Sequence, residues 1–180
     1  HLLVATEPKA AEAGRVGKMP KYVTESGYEE VEDVRVRVGH NAPQGQRLWL
    51  VNLATRTPTE LKFDKLPGID VDPLADLRKA AKLDPVNDDR VVRVDAMRWS
   101  EDGARVAVQL RAVDNKDRWL ATVDLAKSRL DVVHRLTDAA WINWNFNEFG
   151  WLRDQRTLWL LSEESGSSHL YTLAPGGKAK

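Results

Sequence analysis

Apolar and polar positions alternate along much of the chain with a period of two. Asp33-Val34-Arg35-Val36-Arg37-Val38 is strictly alternating, the pattern of a half-buried β-strand. Arg47-Leu48-Trp49-Leu50-Val51-Asn52-Leu53 follows a polar stretch from Gly39 to Gly45, so the two segments are expected to form an antiparallel hairpin with a long loop. His1 to Thr6 also reads as a strand. Further short runs rich in β-branched and aromatic residues predict strands over 91–99, 105–110, 119–125, 130–136 and 157–161. Asp102-Gly103 marks a tight turn between two of them.

One segment departs from this period. Apolar residues from Pro73 to Leu83 fall at helical spacing. Asp72 can cap such a helix, Pro73 fits its first turn and Pro85 stops it. The expectation is a short helix inserted between strands.

A repeat runs through the second half. Arg98-Trp99-Ser100-Glu101-Asp102-Gly103 leads into an apolar strand, and so does Gly150-Trp151-Leu152-Arg153-Asp154-Gln155, with the two tryptophans 52 residues apart. Each is followed by a polar hairpin and another strand, 119–125 and 169–173. Trp49 to Leu53 supplies a third copy of that last strand, Val51 matching Val123 at an offset of 72, the excess coming from the inserted helix and its flanks. A multi-strand unit recurring every ~40–50 residues is the mark of propeller blades, each of which buries its faces against its neighbours. The predicted fold is therefore all-β: a partial β-propeller of about three blades of antiparallel four-stranded sheets, one short helix inserted at 73–83, with residues 1–180 as a single piece of that domain. A β-sandwich with a coincidental tryptophan pattern is the alternative.

Composition narrows the function. Lys plus Arg and Asp plus Glu both number 27, so the formal net charge is zero, and nothing favours nucleic acid or an anionic membrane as partner. With no cysteine, disulfides, thiolate metal sites and a cysteine nucleophile are excluded. No apolar stretch approaches the ~18 residues of a membrane-spanning helix. The chain opens on His1 without the features of a signal peptide, and its natural start is expected upstream.

The stretch Trp141-Ile142-Asn143-Trp144-Asn145-Phe146-Asn147-Glu148-Phe149-Gly150-Trp151-Leu152, leading to Leu161-Ser162-Glu163-Glu164-Ser165-Gly166 and His169-Leu170-Tyr171, resembles a blade of the dipeptidyl peptidase IV type of serine exopeptidase. Tyr22 to Val38 with Leu48 to Leu53, and Met97 to Asp124, resemble other strands of that family in the same order, so the resemblance runs from about Pro20 to Leu173. It implies a parent in which an N-terminal propeller precedes an α/β-hydrolase domain carrying Ser, Asp and His. There the propeller limits access to the active site, and in dipeptidyl-cleaving members two glutamates bind the substrate's free amine.

None of that catalytic machinery is legible here. Gly166-Ser167-Ser168-His169-Leu170 lacks the second glycine and the following helix of a nucleophile elbow and reads as a polar hairpin, so no catalytic residue is assigned and the α/β-hydrolase domain is expected to be absent. Glu29-Glu30 reads as a solvated strand start and Glu163-Glu164 as a solvated turn. His1, His40, His134 and His169 match no metal-ligand spacing, and no cofactor or metal is expected; His169 is expected to pack or hydrogen-bond within its blade. The polar-aromatic stretch supplies the candidates for contact with substrate or with the catalytic domain: Asn143, Trp144, Asn145 and Asn147. Blade-core packing is their alternative role. The resemblance places a substrate-contacting arginine and phenylalanine nearby, yet no arginine occurs between Trp141 and Leu152.

The expected function is thus the non-catalytic propeller portion of a serine exopeptidase that removes short N-terminal peptides, inactive alone, gating access and contributing to substrate binding. Its expected partners are the peptide, the parent's own α/β-hydrolase domain and further copies joined through open blade faces. A periplasmic or secreted location is favoured over a cytoplasmic one. The alternative is a non-catalytic propeller that binds a partner or acts as a scaffold.

Overall fold

The computed structural model describes residues 1–8, 16–36 and 44–177. In chain order the elements are β1 (Leu2–Thr6), β2 (Val16–Lys21), β3 (Glu30–Val36), β4 (Arg47–Asn52), β5 (Thr57–Leu61), α1 (Ala75–Ala80), β6 (Val92–Trp99), β7 (Val106–Ala112), β8 (Asp117–Asp124), β9 (Arg129–Thr137), β10 (Phe149–Trp151), β11 (Leu158–Ser162) and β12 (His169–Leu173). They divide into two compact units, residues 8–44 and the remainder.

The larger unit holds three antiparallel sheets, ordered β1-β4-β5, β6-β7-β8-β9 and β10-β11-β12. The middle sheet has four strands and the others have three among the described residues. These are the blades of an all-β partial propeller. The middle blade is buried on both faces because alternate residues of its strands serve different cores. Val106, Val108, Leu110 and Ala112 of β7, with Trp119, Ala121 and Val123 of β8, pack with Leu3, Leu48 and Leu50 of the first blade. Ala107 and Leu120 point the other way, to Phe149, Leu158, Leu160 and Leu173 of the last blade. Fully burying each large aliphatic side chain contributes about 1.5–3 kcal/mol, so the blades stabilise one another through these two seams.

The repeat read from the sequence holds atom by atom. Trp99 ends β6 and Trp151 ends β10. In the turns that follow, Ser100 N–H donates to Arg105 O at 2.9 Å, and Leu152 N–H to Thr157 O at 2.8 Å. The Asp102 carboxylate accepts Ala104 N–H, and Asp154 accepts Arg156 N–H, each at 2.9 Å. Gly103 and Gln155 both take left-handed backbone, with φ of 66° and 55°. The second offset holds equally well. Asn52 accepts the N–H groups of Ala54 and Thr55, and Asp124 those of Ala126 and Lys127, and each turn closes on a left-handed residue, Arg56 or Ser128.

Two expectations are corrected. The strand beginning at Asp33 does not pair with the one at Arg47. β3 pairs with β2 inside the smaller unit, whereas β4 lies between β1 and β5. Alternation identifies a strand but not its partner; residues 37–40, including His40, and 41–43 of the supposed loop lie outside the described residues. The inserted helix is also shorter than the 73–83 expected, covering Ala75–Ala80 with no buried residue. The Asp72 carboxylate accepts Leu74 N–H at 2.9 Å and holds Arg78 at 2.8 Å.

The segment around this helix is tied to the middle blade. Trp119, fully buried, donates its indole N–H to Pro67 O at 3.0 Å. Arg90 sits over the Trp119 ring and binds both Asp114 and Asp117. The nearly inaccessible Asp117 also accepts from Arg135 at 2.6 Å.

Candidate functional site

β6 and β10 belong to different sheets yet lie side by side, with Trp151 Nε1–H donating to Arg98 O at 2.9 Å, so the middle and last blades meet along this edge. There the ladder of β6 with β7 slips by one residue between Val94 and Ala96, a bulge that leaves Asp95 as the extra residue. On β7, Gln109 and Arg111 lie on the same face as Ala107, toward the last blade. The loop that enters β10 completes the walls. The result is an open cavity of about 340 Å³ lined by Asp95, Ala96, Arg98, Gln109, Arg111, Trp144, Asn147, Glu148 and Phe149.

The loop is held by a wired asparagine. Asn147, only 9% exposed, donates its Nδ2 to Asn143 O and to Asn145 O, and its Oδ1 accepts from Arg118 Nη1. Asn143 Oδ1 accepts Asn145 N–H at 3.0 Å. Ile142 N–H donates to Asn115 O at 2.7 Å, anchoring the loop's start to the middle blade.

Arg118 lies on β8 and is 1% exposed. Its other amino group donates to Leu161 O at 3.2 Å. Burial lowers the guanidinium pKa to about 10, opposed by the negative fields of Glu164, Asp95 and Glu163. Close by, His134 Nε2 meets Glu164 Oε2 at 2.6 Å across the same seam. Burial depresses the His134 pKa and Glu164 works against that. His134 Nδ1 has no hydrogen-bond partner among the described residues.

Arg111 is held differently. Its guanidinium lies over the Trp144 ring, 5.0 Å from the centroid, and its Nε is 3.1 Å from Asp95 Oδ1. Burial raises the Asp95 pKa, against the pull of Arg111, Arg93 and Arg118.

Residues 69–180 match the family described as the dipeptidyl peptidase IV (DPP IV) N-terminal region. The chain belongs to that family. Two solved structures share the fold of this DPP IV N-terminal region. Porphyromonas gingivalis dipeptidyl peptidase 4 is 13% identical with a TM-score of 0.63, over 99% of this chain and 22% of that one. A candidate dipeptidyl aminopeptidase IV from Bacteroides ovatus is 12% identical with a TM-score of 0.59, over 97% of this chain and 21% of that one. The chain thus spans about a fifth of the length of these relatives. No curated protein matches it.

Of the residues singled out in this DPP IV N-terminal region, Trp144 and Asn147 line the cavity. Asn143 belongs to the loop's internal bonding and reaches Glu163 at 3.4 Å, and Asn145 is exposed. Asp95, Arg98, Gln109 and Arg111 were not legible as site residues. The one signal was on β7, where Gln109 and Arg111 interrupt an otherwise apolar strand on alternate positions.

Two other expectations change. The buried, hydrogen-bonded histidine is His134, while His169 is exposed. Glu163 and Glu164 are not merely solvated, because they bond Asn143 and His134. Gly166-Ser167-Ser168 forms the polar turn between β11 and β12, as expected, with Gly166 N–H donating to Glu163 O at 2.8 Å. Glu29 and Glu30 are exposed in the smaller unit. No cluster of metal-ligating side chains occurs among the described residues.

Proposed function

We propose that this chain is the propeller portion of a serine exopeptidase that removes short N-terminal peptides, where it gates access to the active site and contributes to substrate binding. Membership of the DPP IV N-terminal region family supports the peptidase parent. The observation that carries the binding role is the cavity at the converging edge of the two blades, with Trp144 and Asn147 in its wall. An aromatic side chain beside the Gln109 carboxamide, which bonds to no described residue, is suited to an extended peptide, whose backbone offers one donor and one acceptor per residue.

The partners in this reading are the peptide and the parent's own α/β-hydrolase domain. Further copies of the chain associate through the outer blade faces, in a periplasmic or secreted setting. The test is hydrolysis of Xaa-Pro and Xaa-Ala nitroanilides. The polypeptide carrying this region together with a hydrolase domain releases nitroaniline, and the 180-residue chain does not. A parent without a Ser-His-Asp domain would instead mark the chain as a binding or scaffold propeller.

A further inference from the structure

We propose that the cavity is a carboxylate-binding subsite, in which Arg111 grips a peptide carboxylate through its two terminal amino groups. The inference rests on the reading of this cavity as a peptide contact and adds the chemistry that the contact selects.

The Arg111 guanidinium is fixed on one face by Trp144, a contact that orients the plane and favours the cation. Its ion-pair partner among the described residues, Asp95, lies on the Nε side. Neither terminal amino group donates to any described residue. A fork held in plane with both terminal groups free is pre-arranged for two parallel bonds to a carboxylate.

Two further donors share the walls. Gln109 is 7% exposed, yet its carboxamide makes no hydrogen bond to the described residues and is not among the sealed unsatisfied atoms, so it opens to the cavity. Leaving such a group unpaired is costly unless water or a ligand meets it. The Arg98 guanidinium, exposed at the mouth, donates to Met97 O and pairs with no carboxylate among the described residues.

Asp95 and Glu148 balance the two arginines, so the lining carries no net charge. Long-range attraction therefore gives a bare anion little advantage. Selection comes from the directed bonds of Arg111 and Gln109, which favours a carboxylate delivered on a peptide over a free ion.

The carboxylate can be an acidic side chain or a chain terminus, and three tripeptides distinguish them: end-blocked Ala-Glu-Ala, end-blocked Ala-Gln-Ala, and Ala-Gln-Ala blocked only at its amine. Each is titrated into the 180-residue chain while the Trp144 indole N–H resonance, assigned with Trp144→Phe, is followed by NMR. At least one carboxylate-bearing peptide is expected to bind roughly tenfold or more tightly than the blocked glutamine peptide, and which one identifies the source. Arg111→Lys, which keeps the charge and loses the fork, is expected to abolish the preference, and Arg98→Gln, at an exposed position, to reduce it severalfold. Equal binding of all three peptides, no binding of any, or a preference that survives both substitutions would overturn the subsite. That failure is separate from the function above: a parent that releases dipeptides while this chain shows no carboxylate preference loses only the subsite, and the converse loses only the peptidase reading.

Discussion

Arg118 of the middle blade donates a hydrogen bond to the side chain of Asn147 in the loop that opens the next blade. The cation is buried and makes no ion pair among the described residues; Asn147 and Leu161 O satisfy it while acids farther off supply the opposing field. One side chain thus holds both the loop that walls the cavity and β11 of the last blade. Arg118→Met leaves the Asn147 and Leu161 oxygens without their donor and is expected to cost about 2–4 kcal/mol. Urea unfolding measures this as a lower midpoint at unchanged slope, and Arg118→Lys recovers only part because it cannot reach both acceptors.

The His134–Glu164 contact predicts a pH dependence. Burial sets the folded His134 pKa below its ordinary value of 6.5, so between the folded and unfolded values the unfolded chain binds more protons. Stability therefore falls as pH drops through 6.5 toward the folded value, and this contribution is complete above 6.5. Replacing His134 by Gln is expected to flatten that part of the stability curve relative to wild type, measured by urea midpoints from pH 8 to 5. An unchanged slope would remove His134 from the account.

Asp117 is the hinge pin of the inserted segment, accepting from Arg90 and Arg135 while almost fully buried. Asp117→Ala leaves Arg90 paired with Asp114 but takes the carboxylate from the partly exposed Arg135, and is expected to cost about 1–3 kcal/mol. Gly68→Ala tests the same junction from the other side. Its φ is +75°, and an added Cβ would come within 2.3 Å of Arg135 Nη2. Arg135 must then move, with loss of at least about 1 kcal/mol by thermal or urea unfolding.

The repeated turns predict a gain. Arg56 and Ser128 occupy equivalent left-handed positions, where a side chain costs roughly 1 kcal/mol relative to glycine. Ser128→Gly and Arg56→Gly are each expected to raise the unfolding midpoint, and the two effects should add because the turns belong to different blades.

The blades were legible wherever strand and turn carried their own signals. β6 to β9 follow from alternation and Asp102-Gly103, and the Trp99–Trp151 offset placed equivalent turns correctly to the residue. β5 was missed because Pro58 interrupts its pattern. Proline is tolerated there since β5 is the edge of its sheet among the described strands. β2 was hidden by Gly17 and Pro20, and with it went the true partner of β3. The candidate site was half legible: local composition marked Trp144 and Asn147, but Asp95, Gln109 and Arg111 join them only because two blades pack. The bulge that frees Asp95 is a matter of register, which no local pattern announces.

On the proposed function, this chain serves an enzyme that trims peptides from the amino end. Mass spectrometry of a ten-residue peptide incubated with the hydrolase-bearing parent tests it most directly. The account predicts products shortened stepwise by two residues from the N-terminus, and no products with the 180-residue chain alone. Internal cleavage, or an intact peptide after exposure to a folded parent, would contradict it.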